Sequence, residues 1–224
     1  MSFKRFSFLA VAAALLAATT PAYPALAGGT TPALTAFDQA FAQINDYTYN
    51  LRAHEVQGGS VQDRVYAYSF MKPHFAKTLI TSGDGNGSGG VWAGGNQVSG
   101  HQGGFLSGIH LKVGLHDGRA TSMLGHTIPD GLMQNAVARY KNVAGGLSQH
   151  VGGRIDGVQT DEVVLVPSNP SAQDNGATRD TIYFSQTSHL PMREILYVGD
   201  KVLVDDSFLN VKTNTGLTQN DFPF

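Results

Sequence analysis

The sequence predicts an α+β domain in which a curved antiparallel sheet buries two helices. Candidate strands fall into two groups around a helical middle, instead of alternating with helices as a parallel sheet requires. Two segments repeat apolar residues at spacings of three and four, as amphipathic helices do. Glycine makes up 27 of 224 residues, well above the usual level of roughly 7%, as a chain with many turns demands.

The chain opens on an expected export signal, residues 1–27. Lys4 and Arg5 form its positive end, Phe6 to Ala18 its apolar run, and Ala25-Leu26-Ala27 a peptidase site before Gly28. The apolar run falls short of the roughly 20 residues that span a bilayer, so cleavage after Ala27 is expected. Residues 28–224 then form a single domain. A lipoprotein needs a cysteine at its cleavage site, and the chain contains no cysteine. A soluble extracytoplasmic protein is expected, stabilised by burial without disulfides.

Thr31-Pro32 offers an N-cap and a first-turn proline, and Leu34, Phe37, Phe41 and Ile44 follow on one face. This predicts a helix of about four turns over 32–46. From Tyr47 the period becomes two. Tyr47, Tyr49, Leu51 and Ala53 alternate with polar residues, Gly58-Gly59 marks a hairpin, and Val61 to Met71 returns as a second strand. Lys72-Pro73 ends that strand, because proline cannot donate to a ladder.

A third strand is predicted from His74 to Thr81. The 22 residues from Gly83 to Gly104 then include ten glycines, read as a flexible hairpin tip, one short strand at Val91 to Ala93, and a second loop. Residues 105–128 are ambiguous. Leu132, Met133, Ala136, Val137 and Tyr140 predict a second helix over 130–141. Four strands close the chain: Asp161 to Val166, Thr178 to Ser185, Pro191 to Val198 and Lys201 to Val211, with turns at Asn169-Pro170, Asp174-Asn175-Gly176, Thr187-Ser188-His189 and Gly199-Asp200.

Composition excludes several functions. Without residues 1–27 the chain carries 13 basic and 17 acidic residues, a net charge of −4, so it lacks the basic surface that nucleic acid requires. The absence of cysteine excludes thiol chemistry and cysteine metal sites. Asp84 to Gly89 alternates oxygen ligands like a calcium loop, but Gly95 stands where the bidentate Glu belongs. The eight histidines form neither His-Glu-x-x-His nor His-x-His, so no metal is assigned. No Gly-x-Ser-x-Gly elbow occurs. Asp161-Glu162 and Asp205-Asp206 are strand neighbours that face opposite ways and cannot act together. No enzyme signature and no cofactor emerges.

Several segments together resemble the LolA/LolB-like superfamily of periplasmic lipoprotein carriers. They are Phe37-Asp38-Gln39-Ala40-Phe41 with Tyr47-Thr48-Tyr49, Met71-Lys72-Pro73-His74-Phe75-Ala76-Lys77, Val91-Trp92-Ala93-Gly94-Gly95-Asn96, Leu190-Pro191-Met192-Arg193, and Phe208 through Phe222. The resemblance implies a half-open antiparallel β-barrel closed by helices, with a cavity for acyl chains. Its implied partners are lipid or lipoprotein acyl chains and transport components of the inner and outer membranes, with the chain itself a monomer. Cavity and lid candidates are Phe37, Phe41, Tyr49, Tyr68, Phe70, Lys72, Phe75, Trp92, Tyr183 and Tyr197. Lys72 matches a basic residue that helps close the helical lid, although an ammonium lacks the planar fork of arginine.

The expected function is a soluble periplasmic carrier of lipoprotein acyl chains or other lipids, without catalysis. An envelope regulatory or scaffolding module binding a protein partner through the same fold is the alternative. A metal-dependent hydrolase is a third reading, which needs several histidines to converge.

Overall fold

The computed structural model describes residues 26–27, 29–106, 108–171 and 175–223. Apart from Leu26 and Ala27, the expected signal lies outside the described residues, as do Gly28 and the turn residue Asp174. Among the described residues one antiparallel sheet of twelve strands runs through the molecule. Strands β1 (Leu26–Ala27), β2 (Asp46–Gln57), β3 (Ser60–Met71), β4 (Phe75–Gly83), β5 (Gly89–Trp92), β6 (Gln97–His101) and β7 (His110–Gly114) come from the first half. From the second come β8 (Gly145–Ile155), β9 (Val158–Pro167), β10 (Arg179–Ser185), β11 (Pro191–Val198) and β12 (Lys201–Thr213).

β2 to β7 form one meander and β8 to β12 another. β12 pairs with β2, from Val204 opposite Glu55 to Thr213 opposite Tyr47, and joins the two. The two-group strand pattern of the sequence is this double meander. β1, paired to β8, and β7 are the free edges, so the barrel stays half open.

Helix α1 (Pro32–Ala42) starts at the predicted cap: Thr31 is extended and its hydroxyl accepts from the Leu34 N–H. It ends at Ala42, short of residue 46. Asp46 explains the early stop. Its carboxylate accepts from the Thr215 N–H and hydroxyl, each at 2.6 Å, and from the Gly216 N–H at 3.2 Å. Held to the chain beyond β12, Asp46 belongs to β2, and Ile44 is buried from the connection. The β2–β3 hairpin turns at Gly58 and Gly59, whose φ angles of 56° and 88° suit a two-residue turn between twisted strands.

The glycine tract departs from expectation. It forms β5 and β6, not a single short strand between loops, and β7 follows in the ambiguous stretch. β8, with glycine at 145, 146, 152 and 153, is likewise absent from the expected strands. A Cβ on Gly100 would stand 2.6 Å from the Gly89 carbonyl oxygen, and one on Gly145 2.4 Å from that of Val166. Glycine lets these backbones approach, and it leaves no alternation of side chains to read.

The second helix also starts later than predicted. Pro129–Gly131 makes one 3-10 turn, held by the Thr127 N–H and hydroxyl donating to Asp130 Oδ2 at 2.7 Å each. Leu132 is extended, and α2 runs over Met133–Asn142 with Met133, Ala136, Val137 and Tyr140 buried.

Candidate functional site

The concave face of the sheet has two unlike ends. Near α1 it is filled: Tyr47, Tyr49, Tyr68, Phe70 and Phe208 stack with Phe37 and Phe41, with ring centroids from 4.9 to 6.3 Å apart. Further along the same strands the filling stops. A cavity of about 1140 Å³ lies between the sheet, α2 and the segment 116–131, slightly above the range of roughly 300–1,000 Å³ usual for ligand pockets. Leu51, Tyr68, Ile80, Val98 and Ile128 supply much of its apolar wall. Gly90 keeps it open, since a Cβ there would come within 3.0 Å of Val98 and 3.1 Å of Ile128.

The end formed by β11, β12 and β2 is polar. Strand register sets Glu194 directly opposite Asp206, and both line the cavity. Glu55 lies one inward position along β2, and its two oxygens accept from His126 Nδ1 at 2.9 Å and from the Leu124 N–H at 2.9 Å. Arg139 of α2 donates to Asp180 Oδ2 at 2.6 Å, with Asp180 wholly buried.

Burial acts on all of these groups, and their partners decide the outcome. Burial pushes the Glu194 carboxyl up, the neighbouring Asp180 adds to this, and it titrates at about 7. Asp206 is raised well above the ordinary carboxylate range by burial and by Glu194. For Glu55, burial acts upward, but hydrogen bonds from His126, Ser122 and the Leu124 N–H outweigh it and hold the carboxyl low. His126 is raised because the Glu55 bond overcomes its burial. One end of the cavity thus offers an ion pair and two carboxyls with raised affinity for protons, and the rest offers apolar wall.

The candidates named from sequence divide. Tyr68 lines the cavity. Phe37, Phe41, Tyr49 and Phe70 belong to the aromatic filling beside it. Lys72 Nζ donates to the Phe41 carbonyl at 2.8 Å and sits 4.6 Å from that ring, tying the C-terminus of α1 to the sheet. Phe75 packs on Phe222, and the Trp92 indole donates to the Gly95 carbonyl at 2.9 Å. Tyr183 and Tyr197 stand on the opposite face, one bonded to Glu162 at 2.9 Å, the other under Arg179 at 4.0 Å.

Sequence reasoning missed Glu55, Glu194, Asp206, His126 and Arg139. The signal for three of them was legible. Glu194 precedes inward Leu196 by two, Asp206 sits between inward Val204 and Phe208, and Glu55 continues the series Tyr49, Leu51, Ala53. Neighbouring carboxylates in the chain do diverge, since Asp205 turns outward to Arg193 at 2.7 and 2.5 Å. The pair that shares a site lies across two strands. Among the described residues, no group of three or more His, Cys, Asp or Glu is placed to hold a metal ion, and no helix is long and apolar enough to cross a membrane.

No family model matches the chain, and no curated protein matches it. Solved structures do. An uncharacterized conserved protein from Thermus thermophilus is similar with a TM-score of 0.53 at 11% identity, over 85% of this chain and 90% of that one. The Mycobacterium tuberculosis lipoprotein LppX is similar at 0.47 and 16%, over 84% and 99%. A LolA superfamily protein from Nitrosomonas europaea is similar at 0.40 and 10%, over 87% and 99%. At such identities a likeness speaks for the fold alone, and the two scores under 0.5 carry no argument here.

Proposed function

We propose that this chain is a non-catalytic binder or carrier of chain-bearing amphiphiles, which it takes into the cavity between its sheet, α2 and the segment 116–131. The observation that carries this reading is the cavity itself: about 1140 Å³ of space beside a core that is otherwise densely filled with aromatic rings. Each methylene hidden from water contributes about 0.8 kcal/mol, so a chain of a dozen carbons brings on the order of 9 kcal/mol before the cost of immobilising it. That gross term supports binding without a covalent step. Export by residues 1–27, cleavage after Ala27 and residence in the periplasm belong to the same proposal, with lipids or lipoprotein acyl chains as cargo.

The test is uptake of a neutral fluorescent alkyl probe by delipidated protein, compared with Ala120→Trp. Ala120 borders the cavity from the covering segment, and an indole there takes up part of the space without altering a strand. Saturable uptake that the variant reduces at least tenfold, with the melting temperature kept, supports the reading. No uptake by folded protein contradicts it. Uptake that survives Ala120→Trp favours the alternative of a docking surface at the β7 edge, where Phe105 and Ile109 are exposed.

A further inference from the structure

The cavity is short of positive charge at its polar end. Glu55, Glu194 and Asp206 line it there, with the wholly buried Asp180 acting on Glu194, against His126 and Arg139; Arg64 and Arg119 also line the cavity, the second held by Asp117 at 2.8 and 2.7 Å. Glu55 is bonded to His126 and Asp180 to Arg139. Glu194 and Asp206 remain, cross-strand neighbours with no cation of their own among the described residues. Glu194 is only 7% exposed. Its Oε1 and the Asp206 Oδ1 are buried with no hydrogen-bond partner among the described residues. The Tyr140 hydroxyl acts on Glu194 from α2 and lowers its affinity for the proton. Two carboxyls directly opposite on paired strands destabilise a sheet as soon as both ionise, and buried oxygens without partners add to the cost. A sheet that keeps such a pair facing an open chamber has a place for a donor from outside.

Resting on the amphiphile reading above, we infer that Glu194 and Asp206 receive the protonated amine of an alkylammonium-type ligand, whose chain runs toward Tyr68, Ile80 and Val98. An ammonium brings three N–H donors and one positive charge, which can meet the carboxyl groups where they line the cavity and lets them ionise together. A neutral hydroxyl can serve one oxygen but leaves the charge unmet. A carboxylate or phosphate headgroup would be repelled. For a bare divalent ion, no group of three or more His, Cys, Asp or Glu is placed to hold it among the described residues.

Every element around the pair contributes charge. α2 brings Arg139 and Tyr140, β10 brings Asp180, β12 brings the outward-facing Asp205, β2 brings Glu55, and the covering segment brings His126 and Asp130. Arg64 on β3 is held by the Asp84 carbonyl at 2.8 Å and the Tyr66 hydroxyl at 3.1 Å. Glu194 titrates at about 7 and Asp206 is raised well above the ordinary carboxylate range, so the empty pair ionises late. An alkylamine stays protonated throughout, so its advantage grows from pH 5 to pH 8.

The experiment is displacement of the neutral probe from the full chain by decylamine, decanol and decanoate, each below its micelle concentration, at pH 5 and pH 8. At pH 8 decylamine is expected to bind roughly ten- to hundredfold more tightly than decanol, with decanoate weakest. At pH 5 the gap narrows. Glu194→Gln with Asp206→Asn removes the preference while decanol still binds. Decylamine no better than decanol at pH 8, or decanoate the tightest, overturns the inference and leaves the cavity reading standing. Should the double variant not fold, the wild-type pH series decides, and a headgroup preference that does not change with pH overturns the inference. Failure of all three compounds to bind overturns both readings.

Discussion

At the scale of single residues, the carboxyls of the cavity make stability depend on pH. Glu194 is raised from 4.5 to about 7 by burial and by Asp180, so the folded chain holds a proton that the unfolded chain releases earlier. Its contribution is complete below pH 4.5 and is lost as pH rises through about 7, an effect on the order of 3 kcal/mol. Asp206, also raised, acts in the same direction. His126, raised from 6.5, contributes fully below that pH and loses its contribution above it. Glu55 is lowered, so its contribution is present above pH 4.5 and lost below. Ligand-free protein should therefore be most stable near pH 4.5 to 5 and lose stability steadily as pH rises to about 7. Differential scanning calorimetry should place the melting temperature several degrees higher at pH 5.5 than at pH 8, and Glu194→Gln should flatten that difference. These residues were hard to find in the sequence for a physical reason: a carboxylate reads as surface, and only strand register reveals that Glu194 and Asp206 face each other indoors.

At the scale of elements, side-chain periodicity marked what could be read. α1 and α2 show apolar spacings of three and four, and β2 with β3 alternates around a paired glycine turn. The resemblance implies a lid role for Lys72; in the fold its ammonium donates to the Phe41 carbonyl in the last turn of α1. Lys72→Met should cost about 1 kcal/mol through the lost bond to the Phe41 carbonyl and the lost ring contact. Hydrogen exchange should quicken in residues 32–43 before it changes in the sheet, whereas uniform quickening would contradict a local role. β5, β6 and β8 were not legible. Glycine builds them where backbones come too close for a Cβ, and it erases the alternation that identifies a strand.

At the scale of the whole molecule, two meanders meet along β2 and β12 and leave both outer edges free. The α+β class and the half-open antiparallel barrel could be argued beforehand, the first from strand grouping and the second from the resemblance. The division of the interior could not. Aromatic rings are spread over both strand groups in the sequence, and only the three-dimensional register gathers Tyr47, Tyr49, Phe70 and Phe208 at one end while Leu51, Ile80 and Val98 surround open space at the other. α1, expected to wall the cavity, instead covers the filled end, and α2 with the segment 116–131 covers the open one. The central claim is that this open half takes a chain. A crystal structure with ω-bromododecanol locates the bromine by anomalous scattering. The account predicts the bromine inside, with the chain along Tyr68, Ile80 and Val98. A bromine bound only on the outer face, or an empty cavity at saturating ligand, would contradict it.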